Sequence, residues 1–166
     1  MPTLQRQTER ERRRRRIMEA SMRYPAIICD LDKTLCLLGE RDPYDSERCD
    51  EDLPNMPIVR LLEAMHKDGI HLIFVSGRKN TNVVRYKTKF WLKEHVPTLR
   101  RGISYLLLMR DPKDDRADHL VKKDMYQQVI EEKYEVLFVV DDRPSVVRMW
   151  RYELGLTVLQ LNDVEF

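Results

Sequence analysis

The chain has 166 residues, 42% of them hydrophobic and 35% charged, with a net charge of +2. That is enough for one domain with a core under a highly charged surface. It contains no run of about 18 apolar residues, which excludes a membrane-spanning helix, and Met1 to Arg23 has no apolar stretch to serve as a secretory signal.

The charge is unevenly placed. Residues 1–23 hold eight arginines against three glutamates, about +5, with Arg12 to Arg16 in a row, while the remainder is about −3. We read residues 1–24 as a basic helix or arm, either a solvated charged segment or an attractor of phosphate, and 25–166 as the folded domain. Cys29, Cys36 and Cys49 have no metal-ligand spacing and are expected to be reduced, in a cytoplasmic protein.

Along the domain, residues 25–30 predict a first strand, and 35–55, rich in Pro, Gly, Asp and Asn, a loop or short flap. A helix follows from Asn55, as its cap, to residue 68 and stops at Gly69. Residues 70–75 predict strand two, closed by Ser76-Gly77-Arg78. Asn80 or Thr81 caps a helix to about residue 95, with Val84, Tyr86, Phe90, Trp91 and Leu92 expected to be partly buried. Strand three covers 103–109, a charged loop 110–117, and a helix capped by Asp118 runs to about 133. Strand four covers 135–140, a helix with Pro144 at a first position ends near Gly155, and strand five covers 157–161. Strands alternating with helices predict an α/β fold: a three-layer, Rossmann-like parallel sheet with helices on both faces and right-handed crossovers.

The chemistry is concentrated at strand exits. Asp30 and Asp32 follow the apolar run Ala26 to Cys29, and Asp141-Asp142 follow Val136 to Val140. Open α/β sheets place ligands at these carboxyl ends, and paired carboxylates there require a cation or a proton. Ser76 ends strand two, and Asp118 and Lys122 sit at the helix start before strand four. Each has a plainer reading: a polar turn for Asp30-x-Asp32, a strand terminator for Ser76, an i,i+4 surface pair for Asp118 and Lys122, and a helix cap for one of Asp141 and Asp142. Four aligned exits favour a site.

Asp30-x-Asp32-x-Thr34, Ser76-Gly77-Arg78, a lysine ahead of strand four and the acidic pair after it resemble the haloacid dehalogenase superfamily of phosphotransferases. Arg41-Asp42-Pro43-Tyr44-Asp45, Val75-Ser76-Gly77-Arg78, Asp118-x-x-Val121-Lys122 and the run from Val140 to Trp150 resemble a narrower group, the 3′-phosphatase domain of bacteriophage polynucleotide kinases, from about residue 26 onward. Lys33 departs from the pattern, since the wider superfamily often has Gly there.

The resemblance matches Asp30 to a nucleophile, giving an aspartyl-phosphate, and Asp32 to a general acid and later base. Mg²⁺ would be held by Asp30, the Asp32 backbone carbonyl, and Asp141 or Asp142. Lys122 would offset clustered charge and Ser76 would donate to a phosphoryl oxygen. Thr34, Arg41, Gly77, Arg78, Arg116 and Asp118 would bind substrate, with the arginines clamping its phosphates. The short 35–55 segment leaves minimal or no cap, so the site is open to a large ligand. This matches a terminal 3′-phosphate of DNA or RNA. No Gly-x-x-x-x-Gly-Lys-Ser/Thr loop is present, so 5′-kinase activity is not expected of this chain. It reads as a stand-alone phosphatase or the partner of a separate kinase or ligase, in the host cytoplasm if phage-encoded. The competing expectations are a nucleotidase or phosphoprotein phosphatase, and a non-catalytic nucleic-acid-binding module built on residues 1–23.

Overall fold

The structure, a computed structural model, describes residues 23–161, so the basic arm expected over 1–24 falls almost wholly outside the described residues. In chain order the elements are β1 (Tyr24–Cys29), β2 (Cys36–Leu37), a 3₁₀ segment (Ser46–Glu51), β3 (Leu53–Pro54), α1 (Met56–Lys67), β4 (His71–Lys79), α2 (Asn82–His95) and α3 (Pro97–Arg100). They continue with β5 (Leu106–Arg110), α4 (Asp118–Met125), β6 (Tyr134–Asp141), α5 (Pro144–Arg148) and β7 (Val158–Gln160).

The main sheet is parallel throughout, in the order β5-β4-β1-β6-β7. Successive side chains of a strand face opposite ways, and β1 shows the consequence. Ile27 and Cys29 join a core with Ile58, Leu62, Trp91 and Leu92 of α1 and α2, whereas Ala26 and Ile28 join Val146, Val147 and Trp150 on the α4 and α5 side. Both faces are covered, which is why these strands read as continuous apolar runs. All three cysteines are free and buried.

Besides the longer β4, which takes in Ser76, Gly77 and Arg78 and ends at Lys79, two features differ from the sequence reading. Both helices on the second face finish in a π-helical turn, Tyr126–Ile130 after α4 and Met149–Glu153 after α5. Tyr126 and Trp150 in these turns pack edge-on at 6.0 Å. Secondly, Tyr86 and Phe90 of α2 are 71% and 52% exposed, while Val84, Trp91 and Leu92 are buried. At 100° per residue, the two rings fall on the far side of the helix from the buried stripe.

The expected caps also divide. The Thr81 hydroxyl accepts from the Val84 N–H at 3.2 Å and caps α2. Asn55 makes no side-chain cap; its Nδ2 donates to the Thr34 carbonyl at 2.8 Å instead, tying the start of α1 to the loop after β1. Asp118 is not the cap of α4 but lies in its first turn, its carboxylate engaged elsewhere.

After β1 the chain builds β4 and β5 on one side, then crosses to build β6 and β7 on the other. The switch point of the sheet therefore lies between β1 and β6, where such folds form their crevice. Asp30 and the Asp141-Asp142 pair leave the sheet there.

Candidate active site

The loop after β1 is wound tightly. Thr34, Leu35 and Cys36 all donate backbone N–H groups to the Leu31 carbonyl, at 3.2, 2.9 and 2.8 Å. Lys33 takes a φ of 63°, in the left-handed region that costs a non-glycine residue about 1–2 kcal/mol. This is the position where the sequence departs from the superfamily habit of Gly.

Beyond the loop, one oxygen from each of Asp30, Asp141 and Asp142 lies within 4.8 Å of the other two, and all three residues are buried. Lys122, 2% exposed, reaches into the group from α4. Its Nζ donates to Asp30 Oδ1 at 2.6 Å and Asp141 Oδ2 at 3.0 Å, and stands 3.6 Å from Asp118 Oδ2. Asp141 also accepts from the Trp150 indole at 3.2 Å and from the Arg143 N–H at 3.2 Å, and Asp142 from Thr34 Oγ1 at 3.3 Å. Burial pushes the Asp30 carboxyl well up from its ordinary value, Lys122 pulls it back, and Asp141 and Asp142 add to the rise. Asp142 is raised likewise, by burial and then by Asp141. For Lys122, burial opposes the charge, but Asp141, Asp30 and Asp118 outweigh it and hold the ammonium. One ammonium thus faces several carboxylates, an excess of buried negative charge suited to a hard cation.

Asp32 points a different way. Arg78 forks onto it, Nε to Oδ2 at 3.0 Å and Nη2 to Oδ1 at 2.8 Å, and Arg41 Nη2 adds a third bond to Oδ1. Behind them Asp52, 2% exposed, accepts from Arg41 Nε at 2.6 Å, Arg41 Nη2 at 2.8 Å and Arg78 Nη2 at 2.9 Å. Two guanidiniums and two carboxylates therefore close a charge-neutral, mostly buried square. Thr88 Oγ1 of α2 accepts from Arg78 Nη1 at 3.2 Å, and Trp91 Nε1 donates to the Asp52 carbonyl at 2.7 Å, fixing the square to the helix. Burial raises the Asp32 carboxyl, but Arg78 and then Arg41 outweigh it, leaving it below the usual range. A depressed carboxylate contributes stability that is present above its unfolded value, about 3.9, and lost as pH falls through the folded value.

The exit of β4 meets α4 across a tight contact. A Cβ on Gly77 would stand 2.4 Å from Asp118 Oδ1 and 3.1 Å from its Cγ. Asp118 has little room to yield, since Arg110 Nη2 donates to Oδ1 at 3.0 Å while Arg110 Nε donates to the Gly77 carbonyl at 2.9 Å. Gly77→Ala is expected to cost about 1–3 kcal/mol by overpacking. Denaturant melts should show much of that cost disappearing in an Asp118→Ala background, where the clash is gone.

A cavity of about 430 Å³ joins these parts, with Asp30, Asp32, Gly77, Arg78, Lys122 and Asp142 among its walls. The 36–54 flap contributes only Leu38, Pro43, Tyr44 and Ser46 to the rim. Asp118 and Arg116 also line it, although Arg116 sits outward, exposed and paired with Asp114 at 2.7 Å and Asp124 at 2.8 Å. Thr34, Arg41, Ser76 and Asp141 lie behind the wall. The Ser76 hydroxyl accepts from the Arg78 N–H at 3.2 Å. Trp91 and Trp150 are core residues, and Tyr44 is 85% exposed on the flap.

The sequence reading missed Asp52, Arg110 and Arg143. Arg110 carries the signal that found Asp30, a charged residue ending an apolar strand. Asp52 carries none, because it is one of several acids in the flap. Arg143 lines the cavity 3.8 Å from Asp118 Oδ2.

The family model for the phosphatase domain of polynucleotide kinase PNKP matches residues 24–166. The chain belongs to this family. Over 129 residues it is 33% identical to a protein of Autographa californica nuclear polyhedrosis virus described as a bifunctional polynucleotide kinase/RNA ligase, covering 76% of this chain and 18% of that protein. A structure of the Pnkp1/Rnl/Hen1 RNA repair complex aligns at a TM-score of 0.76 and 42% identity, over 86% of this chain and 44% of the other. A further Pnkp1/Rnl/Hen1 complex aligns at 0.78 and 41%, over 88% and 48%. The chain thus spans about a fifth of the viral relative and less than half of these structural neighbours. The class C acid phosphatase of Bacillus anthracis with tungstate bound shares the fold, at a TM-score of 0.58 and 16% identity over 96% of this chain and 75% of that one. Among the described residues no helix is long and apolar enough to cross a membrane.

Proposed function

We propose that this chain is a Mg²⁺-dependent polynucleotide 3′-phosphatase acting through an aspartyl-phosphate. The observation that carries the reading is the buried convergence of Asp30, Asp141 and Asp142 at the switch point of the sheet, beside the guanidinium-held Asp32. The family match supports the same chemistry. Three close carboxylates fit Mg²⁺, which when bound supplies charge neutralisation at a phosphoryl group. Asp30 and Asp142 would be its side-chain ligands facing the cavity, with Asp141 and the Asp32 carbonyl completing the protein's share.

In this reading Lys122 holds Asp30 Oδ1, leaving the other carboxylate oxygen to attack phosphorus. The bond from phosphorus to the leaving 3′-oxygen breaks, and Asp32 supplies the proton that oxygen takes up. In the second step Asp32 removes a proton from water, the water oxygen attacks phosphorus, and Asp30 is released together with phosphate. Asp32 is held ionised at rest by Arg78 and Arg41. An incoming phosphate competes for Arg78, which lines the cavity, and brings negative charge near Asp32; both effects raise its proton affinity when an acid is needed. Arg41, behind the wall, acts on substrate through Asp32. Ser76 anchors the end of β4 that presents Gly77 and Arg78, and Thr34 holds Asp142.

The short flap and a rim with Lys33, Lys79, Arg110, Arg116 and Arg143 support a large anionic substrate. The relatives, a kinase/ligase and RNA repair complexes, favour an RNA end and a kinase or ligase partner. The deciding assay compares phosphate release from a 3′-phosphorylated oligonucleotide, a 3′-mononucleotide and a phosphopeptide, with and without Mg²⁺. Release from the oligonucleotide should be fastest and should need the metal. Equal or faster turnover of the mononucleotide or the phosphopeptide would remove the polynucleotide assignment.

The metal has its own readout. Asp30 and Asp142 are raised in the folded state, so without a cation the protein loses stability as pH climbs from about 3.9 through their folded values. Bound at Asp30 and Asp142, Mg²⁺ would supply the positive charge that those protons supply without it. Saturating Mg²⁺ should raise Tm by roughly 5 °C at neutral pH, with the increment shrinking as pH falls. A shift that is absent, or that grows toward acid, would contradict this placement of the metal.

A further inference from the structure

We infer that the outer face of α2 and the groove beside it form a docking track for the single-stranded segment adjoining the reactive end. This inference rests on the reading that a polynucleotide end enters the catalytic cavity. Helix α2 carries Arg85, Lys87, Lys89 and Lys93 against one acid, Glu94. Lys87 turns to one side and pairs with Asp50 at 2.9 Å. The other three stand at i, i+4 and i+8, and among the described residues no carboxylate lies within ion-pair reach of them. Like charges at this spacing oppose helix formation, whereas Lys79 and Lys123 are matched by Asp115 and Glu153. Three cations unpaired among the described residues and aligned on one helix face offer successive contacts to an anion from outside.

The row lines a groove. Arg85, Lys89 and Lys93 form one wall, and Ser104, Tyr105 and Leu106, leading into β5, form the other, enclosing about 400 Å³. Among the described residues β5 is an edge strand, with no further strand of the sheet beside it. Next to the row on α2 stand Tyr86 and Phe90, the two rings expected to be partly buried, 71% and 52% exposed. Cations along a groove with aromatic faces beside them form the arrangement by which single strands are bound without base readout.

The track also leads to the cavity. The i,i+4 step advances about 6 Å along the helix axis, on the scale of successive phosphates in an extended strand. Arg85, the first of the row, donates to Asn80 Oδ1 at 3.2 Å, and Asn80 directly follows Lys79, which lines the catalytic cavity. A strand whose terminal phosphate meets Asp30 therefore has its preceding phosphates directed along α2.

The test uses the full chain carrying Arg85→Glu, Lys89→Glu and Lys93→Glu together. Binding of a fluorescent single-stranded 12-mer with a free 3′-hydroxyl is read by anisotropy across salt concentrations, so that it does not depend on the chemistry. Turnover of p-nitrophenyl phosphate reports an intact catalytic cavity. The expected result is oligonucleotide affinity reduced about tenfold or more, a salt slope flatter by about 2, and p-nitrophenyl phosphate turnover retained. Unchanged affinity and slope would overturn the track, and would be the outcome if the face instead binds a protein. Should small-substrate turnover collapse, the milder Lys89→Ala, Lys93→Ala variant carries the same binding test. Failure of the wild type to release phosphate from a 3′-phosphorylated oligomer would strike the proposed function, while the anisotropy comparison would still decide the track.

Discussion

Asp30→Asn is expected to reduce phosphate release by roughly four orders of magnitude or more, as removal of a covalent nucleophile does elsewhere, while leaving the fold intact. The substitution is isosteric, and Lys122 keeps Asp141 at 3.0 Å and Asp118 at 3.6 Å as partners. It also removes a carboxyl whose ionisation is opposed by burial and by two acidic neighbours. The melting temperature without metal should therefore stay level or rise, which separates lost chemistry from lost structure. Rapid quenching of the wild type with a labelled 3′-phosphate should trap label on protein, and the variant should trap none. Persistence of wild-type turnover in Asp30→Asn would transfer the nucleophile to another group and dismantle the mechanism.

The parts of this site legible in the sequence are those where local pattern and global position coincide. Asp30 and the Asp141-Asp142 pair each close an apolar strand, Ser76 follows the apolar part of β4 just before its end at Lys79, and a parallel sheet necessarily gathers such ends on one side. Lys122 was readable from its place on the helix entering β6, and the structure puts its ammonium between Asp30 and Asp141. What escaped depends on side-chain direction in irregular backbone. No periodicity distinguishes Asp52 from Asp42, Asp45 or Asp50 in a flap whose only regular pieces are a 3₁₀ segment and two short strands. The rings of Tyr86 and Phe90 failed for a different reason: aromatic identity was taken as burial, although their angular position on α2 opposes that of Val84, Trp91 and Leu92. The π-helical endings of α4 and α5 leave no compositional mark, because Tyr-Gln-Gln-Val-Ile and Met-Trp-Arg-Tyr-Glu carry nothing that distinguishes an i,i+5 bond from an i,i+4 bond.

Asp52→Ala is the second substitution expected to act strongly, and it reads the acid role of Asp32 from a residue behind the cavity. The square of Arg41, Arg78, Asp32 and Asp52 is balanced; removing Asp52 leaves two buried guanidiniums on one carboxylate. Breaking a buried pair in this way typically costs about 3–5 kcal/mol, to be measured by denaturant unfolding. The catalytic consequence has a sign of its own. With Asp52 gone, both arginines bear on Asp32 alone, its carboxyl is driven further below the usual range, and it becomes a poorer proton donor. A 3′-alkoxide leaving group needs that proton, whereas p-nitrophenolate departs without it. The first step, read as the pre-steady-state burst of leaving group, should therefore slow by about a hundredfold for a 3′-phosphorylated oligonucleotide, while the p-nitrophenol burst slows far less. Asp52→Asn, which keeps the shape and one acceptor, should show the same split with a smaller loss of stability. If both bursts slow in proportion, Asp52 is a support for the flap and nothing more, and the tuning of Asp32 by the guanidinium pair is refuted.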